Sequence, residues 1–378
     1  MITQPIYLDN AATTPLDNEV LTAMLPFMKE TFGNPSSTYS VGRMSRLGVE
    51  SARKKVAQLL GVTPATIFFT SGGTESNNTA IASAIRDLGC THIITSPIEH
   101  HAVLHTVEYY SRKNSIPLSL VELTASGEVS YENLEKQLKE SASAGNKPLV
   151  SLMHANNEIG TLLDLDLVGK LCEQYGAVFH SDCVQTVGHY PMNLLEAGVH
   201  FISAASHKFH GPKGVGILYV RAPLQVQPLI YGGAQERNLR AGTENVYGIV
   251  GFARALELAM ESYDKESDYI SRLKAYMKQQ LINKIPGVGF NSPERSLYTV
   301  LSVCFPRSSR SESLLLELDI AGICVSGGSA CSSGDLKGSH VISALQKNND
   351  CTTVRFSFSK YNSMSEVDKA IEVLQQLL

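Results

Sequence analysis

No apolar run in this 378-residue sequence approaches the roughly 20 residues needed to cross a bilayer, so a helical membrane span is not expected. No Cys-x-x-Cys pair occurs, and the seven cysteines form an odd set: Cys90, Cys172, Cys183, Cys304, Cys324, Cys331 and Cys351. That pattern argues against a disulfide framework or a structural zinc site and favours a reducing compartment. Neither sign of charge dominates. The 32 basic and 36 acidic residues give a net charge of −4, and no basic patch suggests nucleic acid as a partner. Internal repeats and low-complexity tracts are absent. The opening decapeptide carries Asp9 and no apolar h-region, so it is not read as a signal peptide. These absences together predict a soluble, cytoplasmic protein with no metal.

What remains is an ordinary globular composition, 43% hydrophobic and 18% charged, with ample apolar content for a core. The length exceeds one compact unit. Short β-rich runs at 66–70, 92–95, 149–153, 177–180 and 201–204 alternate with helical patterns at 42–60, 75–88, 131–141 and 165–175. Such alternation predicts an α/β fold, a mainly parallel sheet covered on both faces. A long helical region runs from 244 to about 284 and stops at Pro286-Gly287. Beyond it, strands at 298–305 and 352–358 and helices at 313–321 and 365–378 predict a smaller α+β unit. The boundary is placed near Ser262. Residues 16–262 then form the large domain, and residues 1–15 with 263–378 the small one.

The most informative local pattern is Ser206-His207-Lys208, 26 residues after His180-Ser181-Asp182. An apolar strand precedes Lys208, so its amine should be partly desolvated, which favours the neutral form needed for a Schiff base. Asp182 lies at a strand's carboxyl end, where ligands of α/β sheets gather. A lysine and an acid so placed are the expected signature of pyridoxal phosphate. The glycine turn 70–76 follows a strand and opens a helix, so its backbone can approach an anion. A capped tight turn, with Thr74 as the cap, is the bland alternative. His100 follows the strand at 92–95, where an imidazole could stack on a ring or shuttle protons. Asn157 follows the strand at 149–153. His180, Asp182, Cys183, His207 and His210 include metal-ligating types, but their spacing matches no compact zinc pattern. Cys331 sits in a Gly/Ser-rich run, 326–334, as a nucleophile or a free loop thiol. Arg355 alternates with apolar strand residues; it could clamp a carboxylate or form a structural ion pair.

Together the segments resemble the cysteine desulfurases of the NifS/IscS type, in the class V aminotransferase family. The resemblance spans nearly the whole chain. It runs from Tyr7-Leu8-Asp9-Asn10-Ala11-Ala12-Thr13-Thr14-Pro15 and Gly33-Asn34-Pro35-Ser36-Ser37, through Glu99-His100, Asn156-Asn157-Glu158-Ile159-Gly160 and Ser206-His207-Lys208. It continues to Arg240-Ala241-Gly242-Thr243-Glu244-Asn245, Gly328-Ser329-Ala330-Cys331 and Arg355-Phe356-Ser357. It implies a fold type I homodimer binding pyridoxal 5′-phosphate near the subunit boundary. By that resemblance Lys208 holds the cofactor as a Schiff base, Asp182 pairs with the pyridine nitrogen and Gln185 with the ring hydroxyl. His100 stacks on the ring, and Asn157 lies near the ring oxygen and substrate. Gly73, Thr74 and His207 hold the phosphate, Thr243 reaches the partner subunit's phosphate, and Arg355 binds the substrate carboxylate. Three positions depart from the family pattern. Ala205 stands where a serine is usual, so Ser206 is the candidate replacement hydroxyl; Ser359-Lys360 replaces a common Gly-Arg pair; and Tyr39 lies where a histidine is familiar.

The implied reaction converts L-cysteine to L-alanine, with sulfur passing as a persulfide on Cys331 to an acceptor protein. That acceptor would serve iron–sulfur cluster assembly or tRNA thiolation. The rival readings are a selenocysteine lyase or another lyase or aminotransferase of the same fold, and a sulfur-trafficking scaffold without turnover. Retention of both Lys208 and Cys331 argues against the scaffold.

Overall fold

The computed structural model describes residues 5–327, 339–345 and 351–378. Its centre is a seven-stranded sheet. The strands lie in the order β2 (Ile67–Thr70), β8 (Gly216–Val220), β7 (Phe201–Ala205), β6 (Val178–Asp182), β5 (Pro148–Ser151), β3 (His92–Thr95) and β4 (Leu118–Leu120). Neighbours are parallel except at β8, which runs antiparallel to both β2 and β7. Reversal on both sides leaves β2 pointing the same way as β7, β6, β5 and β3. The carboxyl ends of those five strands therefore share one edge, where α/β sheets place ligands.

Successive strand residues feed two different cores, because side chains alternate across a sheet. Leu149, Val178, Phe201 and Leu218 pack with α3 (Gly73–Arg86) and α4 (His101–Asn114). Val150, Phe179, Ile202 and Ile217 pack with α2 (Ser40–Leu59), α5 (Tyr131–Ser143), α6 (Leu165–Gln174) and α7 (Val246–Glu261). Burial on both faces explains why these strands read as short apolar runs rather than as polar–apolar alternation.

A third core collects Leu273, Met277 and Leu281 of α8 (Tyr263–Lys284) and Ile371 and Leu374 of α11 (Met364–Leu377). They pack against an antiparallel sheet ordered β12 (Cys351–Ser357), β10 (Val300–Pro306), β9 (Gly289–Phe290). The chain's start joins this unit. β1 (Ile6–Tyr7) pairs in parallel with β11 (Ile323–Cys324), and Asp9 bridges to Ser357.

Two expectations need correction. The long helix read from 244 to 284 is two helices, α7 and α8, parted at Ser262. The Ser262 hydroxyl lies 2.7 Å from both Leu258 O and Glu266 Oε1, a local bonding pattern that competes with helix continuation. Apolar periodicity passes through such a break unseen. The second correction is a disulfide between Cys304 and Cys351, with Cα atoms 5.4 Å apart. Strand register creates it: Cys304 faces Thr353 while Cys351 faces Pro306, which leaves the two cysteines as diagonal neighbours. A separation of 47 residues carries no sequence signal for that pairing.

Candidate active site

Lys208 ends a short 3₁₀ turn, Ser206–Lys208, directly after β7. Its Nζ donates to the carbonyls of Ala11, at 2.7 Å, and Ala12, at 2.8 Å. The amine is thus held by the first dozen residues of the chain. Asp182 is the last residue of β6 and nearly buried. One carboxylate oxygen accepts from Asn77 Nδ2 at 2.6 Å, the other from the Val184 N–H at 3.0 Å. Asn77 follows Gly73 by one helical turn, so both lie on the same face of α3. Lys208, Asp182, Asn77, Gly73, Thr74, His100, Asn157, Gln185, His207 and Arg355 line a single cavity of about 290 Å³. That is close to the lower end of the ~300–1,000 Å³ usual for small-molecule pockets.

His100 carries the N-cap of α4. Its Nδ1 accepts the Ala102 N–H at 3.1 Å, so that nitrogen holds a lone pair. Burial is the chief cause pushing the ring's pKa down, so at neutral pH its proton sits on Nε2. His207 hydrogen-bonds Thr13 Oγ1 at 3.2 Å, and burial, aided by Lys208 and Lys213, lowers its pKa to about 4. Gln185 Nε2 donates to Ala11 O at 3.0 Å. Arg355 is buried; it pairs with Asp9 Oδ1 at 2.7 Å and donates to Asn157 O at 2.8 Å. Both sequence readings of Arg355 thus have a counterpart, since it forms an ion pair and also lines the cavity.

The residues present fit pyridoxal phosphate on three observations. No side chain caps the N-terminus of α3, and its residues Gly73 and Thr74 line the cavity, leaving helix-end amides for a phosphate. A Cβ added at Gly73 would lie 2.5 Å from Val184 Cγ2, so this turn is packed as closely as glycine allows. Asn77 Oδ1 and Arg355 Nε are buried without hydrogen-bond partners, and both residues line the same cavity.

Other sequence candidates fall elsewhere. The Ser206 hydroxyl donates to Pro212 O and lies fully buried away from the cavity, which corrects its reading as a cofactor ligand. It fastens the turn that presents Lys208 instead. Thr243 does not line the Lys208 cavity of its own chain; it borders a second cavity with Ser71, Arg240 and Gly242. His180 is sealed between Ser151 and Ser203. Cys331 lies outside the described residues. The sequence reading assigned no site role to Asn77, Asp9 or the Ala11 and Ala12 carbonyls. The Asp9-to-Pro15 run was visible, but nothing local showed that it reaches Lys208 and Arg355.

Burial also sets an acid limit. It depresses His180 to about 3, and His154, His189, His200, His207 and His210 to about 4, from an ordinary 6.5. With folded pKa values below unfolded ones, these rings contribute stability above about pH 6.5 that is lost as pH falls through about 4. The urea midpoint is therefore expected to drop steeply across that window. Each ring adds a slope approaching ~1.4 kcal/mol per pH unit. A flat midpoint from pH 6.5 to 4 would contradict the assignment.

Comparison with known proteins agrees with this geometry. The aminotransferase class-V family model matches residues 6–370. A cysteine desulfurase IscS of Dictyoglomus turgidum is 43% identical, over 99% of this chain and 94% of the relative. One from Methanosarcina thermophila is 41% identical, over 99% and 92%. A solved NifS-like protein superposes with a TM-score of 0.90 at 39% identity, covering 99% of both chains. A structure described as SspA in complex with cysteine gives 0.83 at 30% identity, covering 95% of this chain and 100% of that one. A full-length family match and these identities, together with a lysine, an acid and an open helix end around one cavity, place the chain in the class V aminotransferase family, among its pyridoxal-phosphate-dependent cysteine desulfurases of the NifS/IscS type.

Proposed function

We propose that this chain converts L-cysteine to L-alanine and hands the sulfur, as a persulfide on Cys331, to an acceptor protein. The observation that carries the reading is the convergence of Lys208, Asp182, the uncapped α3 end and Arg355 on one cavity. Bound pyridoxal phosphate supplies an aldehyde that condenses with amines and a ring that takes up the electron pair of a Cα carbanion. Lys208 provides the amine that holds it and, once displaced by substrate, removes the Cα proton. Asp182, oriented by Asn77 and Val184, keeps a proton on the pyridine nitrogen. Gly73, Thr74 and His207 hold the phosphate, Gln185 meets the ring hydroxyl and neutral His100 lies on the ring face. Thr243 reaches the phosphate of the partner subunit. Arg355 binds the substrate carboxylate, beside Asn157.

Cys331 thiolate then attacks the substrate sulfur. The Sγ–S bond forms and the Cβ–S bond breaks. Its electron pair stays with the carbon skeleton, which takes up one proton at Cβ, regains at Cα the one that Lys208 removed, and leaves as L-alanine. The protein acts as a homodimer. Supporting that, Leu25 and Met28 of α1 (Asn18–Lys29), Phe32 just beyond it, and Met44 and Leu47 of α2 are exposed apolar side chains. The acceptor serves iron–sulfur cluster assembly or tRNA thiolation in the cytoplasm. Among the described residues no helix is long and apolar enough to cross a membrane.

The deciding experiment follows L-cysteine with a thiol reductant present, on protein whose visible spectrum shows bound cofactor. Alanine and sulfide are expected in equal amounts. Pyruvate and ammonia in place of alanine would overturn the proposal.

A further inference from the structure

After the segment that carries Cys331, the described chain resumes at Ser339, eight residues beyond that cysteine. Ser339 caps α10 (His340–Ala344), accepting the Ile342 N–H, and its hydroxyl donates to Glu158 Oε2. His340 lines the cavity together with Lys208 and Glu158. Its Nε2 lies 2.9 Å from the carbonyl oxygen of Glu99, and its Nδ1 lies 3.1 Å from His101 Nε2.

A carbonyl only accepts, so His340 Nε2 carries the proton. In the neutral ring Nδ1 then holds a lone pair, and His101 must present Nε2–H to it. Both tautomers are fixed by one backbone oxygen. Around this pair stand His105, stacked on His101 with centroids 4.8 Å apart, His100 and the Glu158 carboxyl. The anchors are themselves held. Glu99 Oε1 accepts from Met153 N at 2.9 Å and Ser96 Oγ at 2.8 Å, and Glu158 N donates to Asn156 Oδ1 at 2.8 Å. Burial raises the Glu99 pKa to about 8, so this carboxyl stays neutral at pH 7 and adds no charge behind the cavity.

We infer that Ser339 and His340 are positioning residues for sulfur transfer, fastening the root of the Cys331-bearing segment to Glu158, Glu99 and His101 on the cavity wall. The inference rests on the reading of Cys331 as the sulfur-accepting thiol. The hydrogen bonds that hold the two residues run to Glu158, Glu99 and His101. The two half-reactions should therefore separate.

The test uses holoprotein and two readouts: hydrogen exchange at Cα of L-alanine in deuterated water, and single-turnover persulfide formation from L-cysteine. His340→Ala is expected to keep the cofactor's visible absorbance and the exchange rate within about twofold. Loss of two hydrogen bonds should slow its persulfide formation about tenfold or more. His340→Gln, which restores a donor toward Glu99 O, should recover part of that loss. Ser339→Ala removes one partly exposed hydroxyl, and a loss of about threefold is expected from it even if the His340 variants fold poorly. Unchanged persulfide formation in His340→Ala or Ser339→Ala overturns the inference, as does a parallel fall in exchange and absorbance. Cys331→Ser is run alongside. If it still forms the persulfide, the reading of Cys331 fails; if it loses the persulfide while His340→Ala does not, only the fastening role fails.

Discussion

Lys208→Ala protein is expected to lose the visible absorbance of covalently held cofactor and to turn over L-cysteine about 10⁴-fold more slowly or worse. Among the described residues, Lys208 is the only lysine lining the cavity. Arg355 cannot substitute, because its guanidinium is held by Asp9 and Asn157 O and offers no primary amine. The amine is also placed by its surroundings: Ala11 O and Ala12 O grip Nζ, and the Ser206 hydroxyl ties its turn to Pro212. Borohydride reduction of the unmutated holoprotein followed by peptide mapping checks the claim. A tag on any residue other than Lys208 would defeat it, as would a Lys208→Ala protein with normal turnover.

Cys331→Ser protein should keep its cofactor spectrum and lose persulfide formation by about 10³-fold or more. The magnitude follows from the state of the other thiols. Cys90 and Cys183 are buried, and burial raises each to about 12; Cys172 is buried and raised further. Cys324 is raised as well, and Cys304 and Cys351 are spent in a disulfide. Among the described residues no thiolate stands ready to replace Cys331. Cyanolysis of protein after one turnover measures the persulfide directly. Wild-type yield from the serine variant would remove Cys331 from the reaction.

The strand–helix alternation was legible because each strand is short, apolar and bounded by turns. The readings at 92–95 and 201–204 match β3 and β7 to within a residue. Lys208 and Asp182 could be placed because Asp182 ends β6 and Lys208 ends the turn directly after β7. The contacts that surround them could not. Asn77 meets Asp182 across 105 residues, and Asp9 meets Arg355 across 346. No local window contains such pairs; they exist only once the sheet has fixed both ends. Ser206 failed for the opposite reason. Adjacent to Lys208 in sequence, its hydroxyl is buried and meets Pro212 O. The break at Ser262 was hidden because apolar spacing continues across it, while the interruption lies in hydroxyl bonding.

The Asp9–Arg355 pair, with the bridge from Asp9 to Ser357, ties the beginning of the polypeptide to one of its last strands. During synthesis the ribosome releases the amino end first, so this closure must wait until β12 has emerged. A nascent chain can stack β2 to β8 and bury much of its interior, yet the pocket still lacks its arginine wall. The pocket for vitamin B6 is therefore complete only once β12 is in place, and Asp9→Ala protein, which loses the closing ion pair, should load the cofactor less fully.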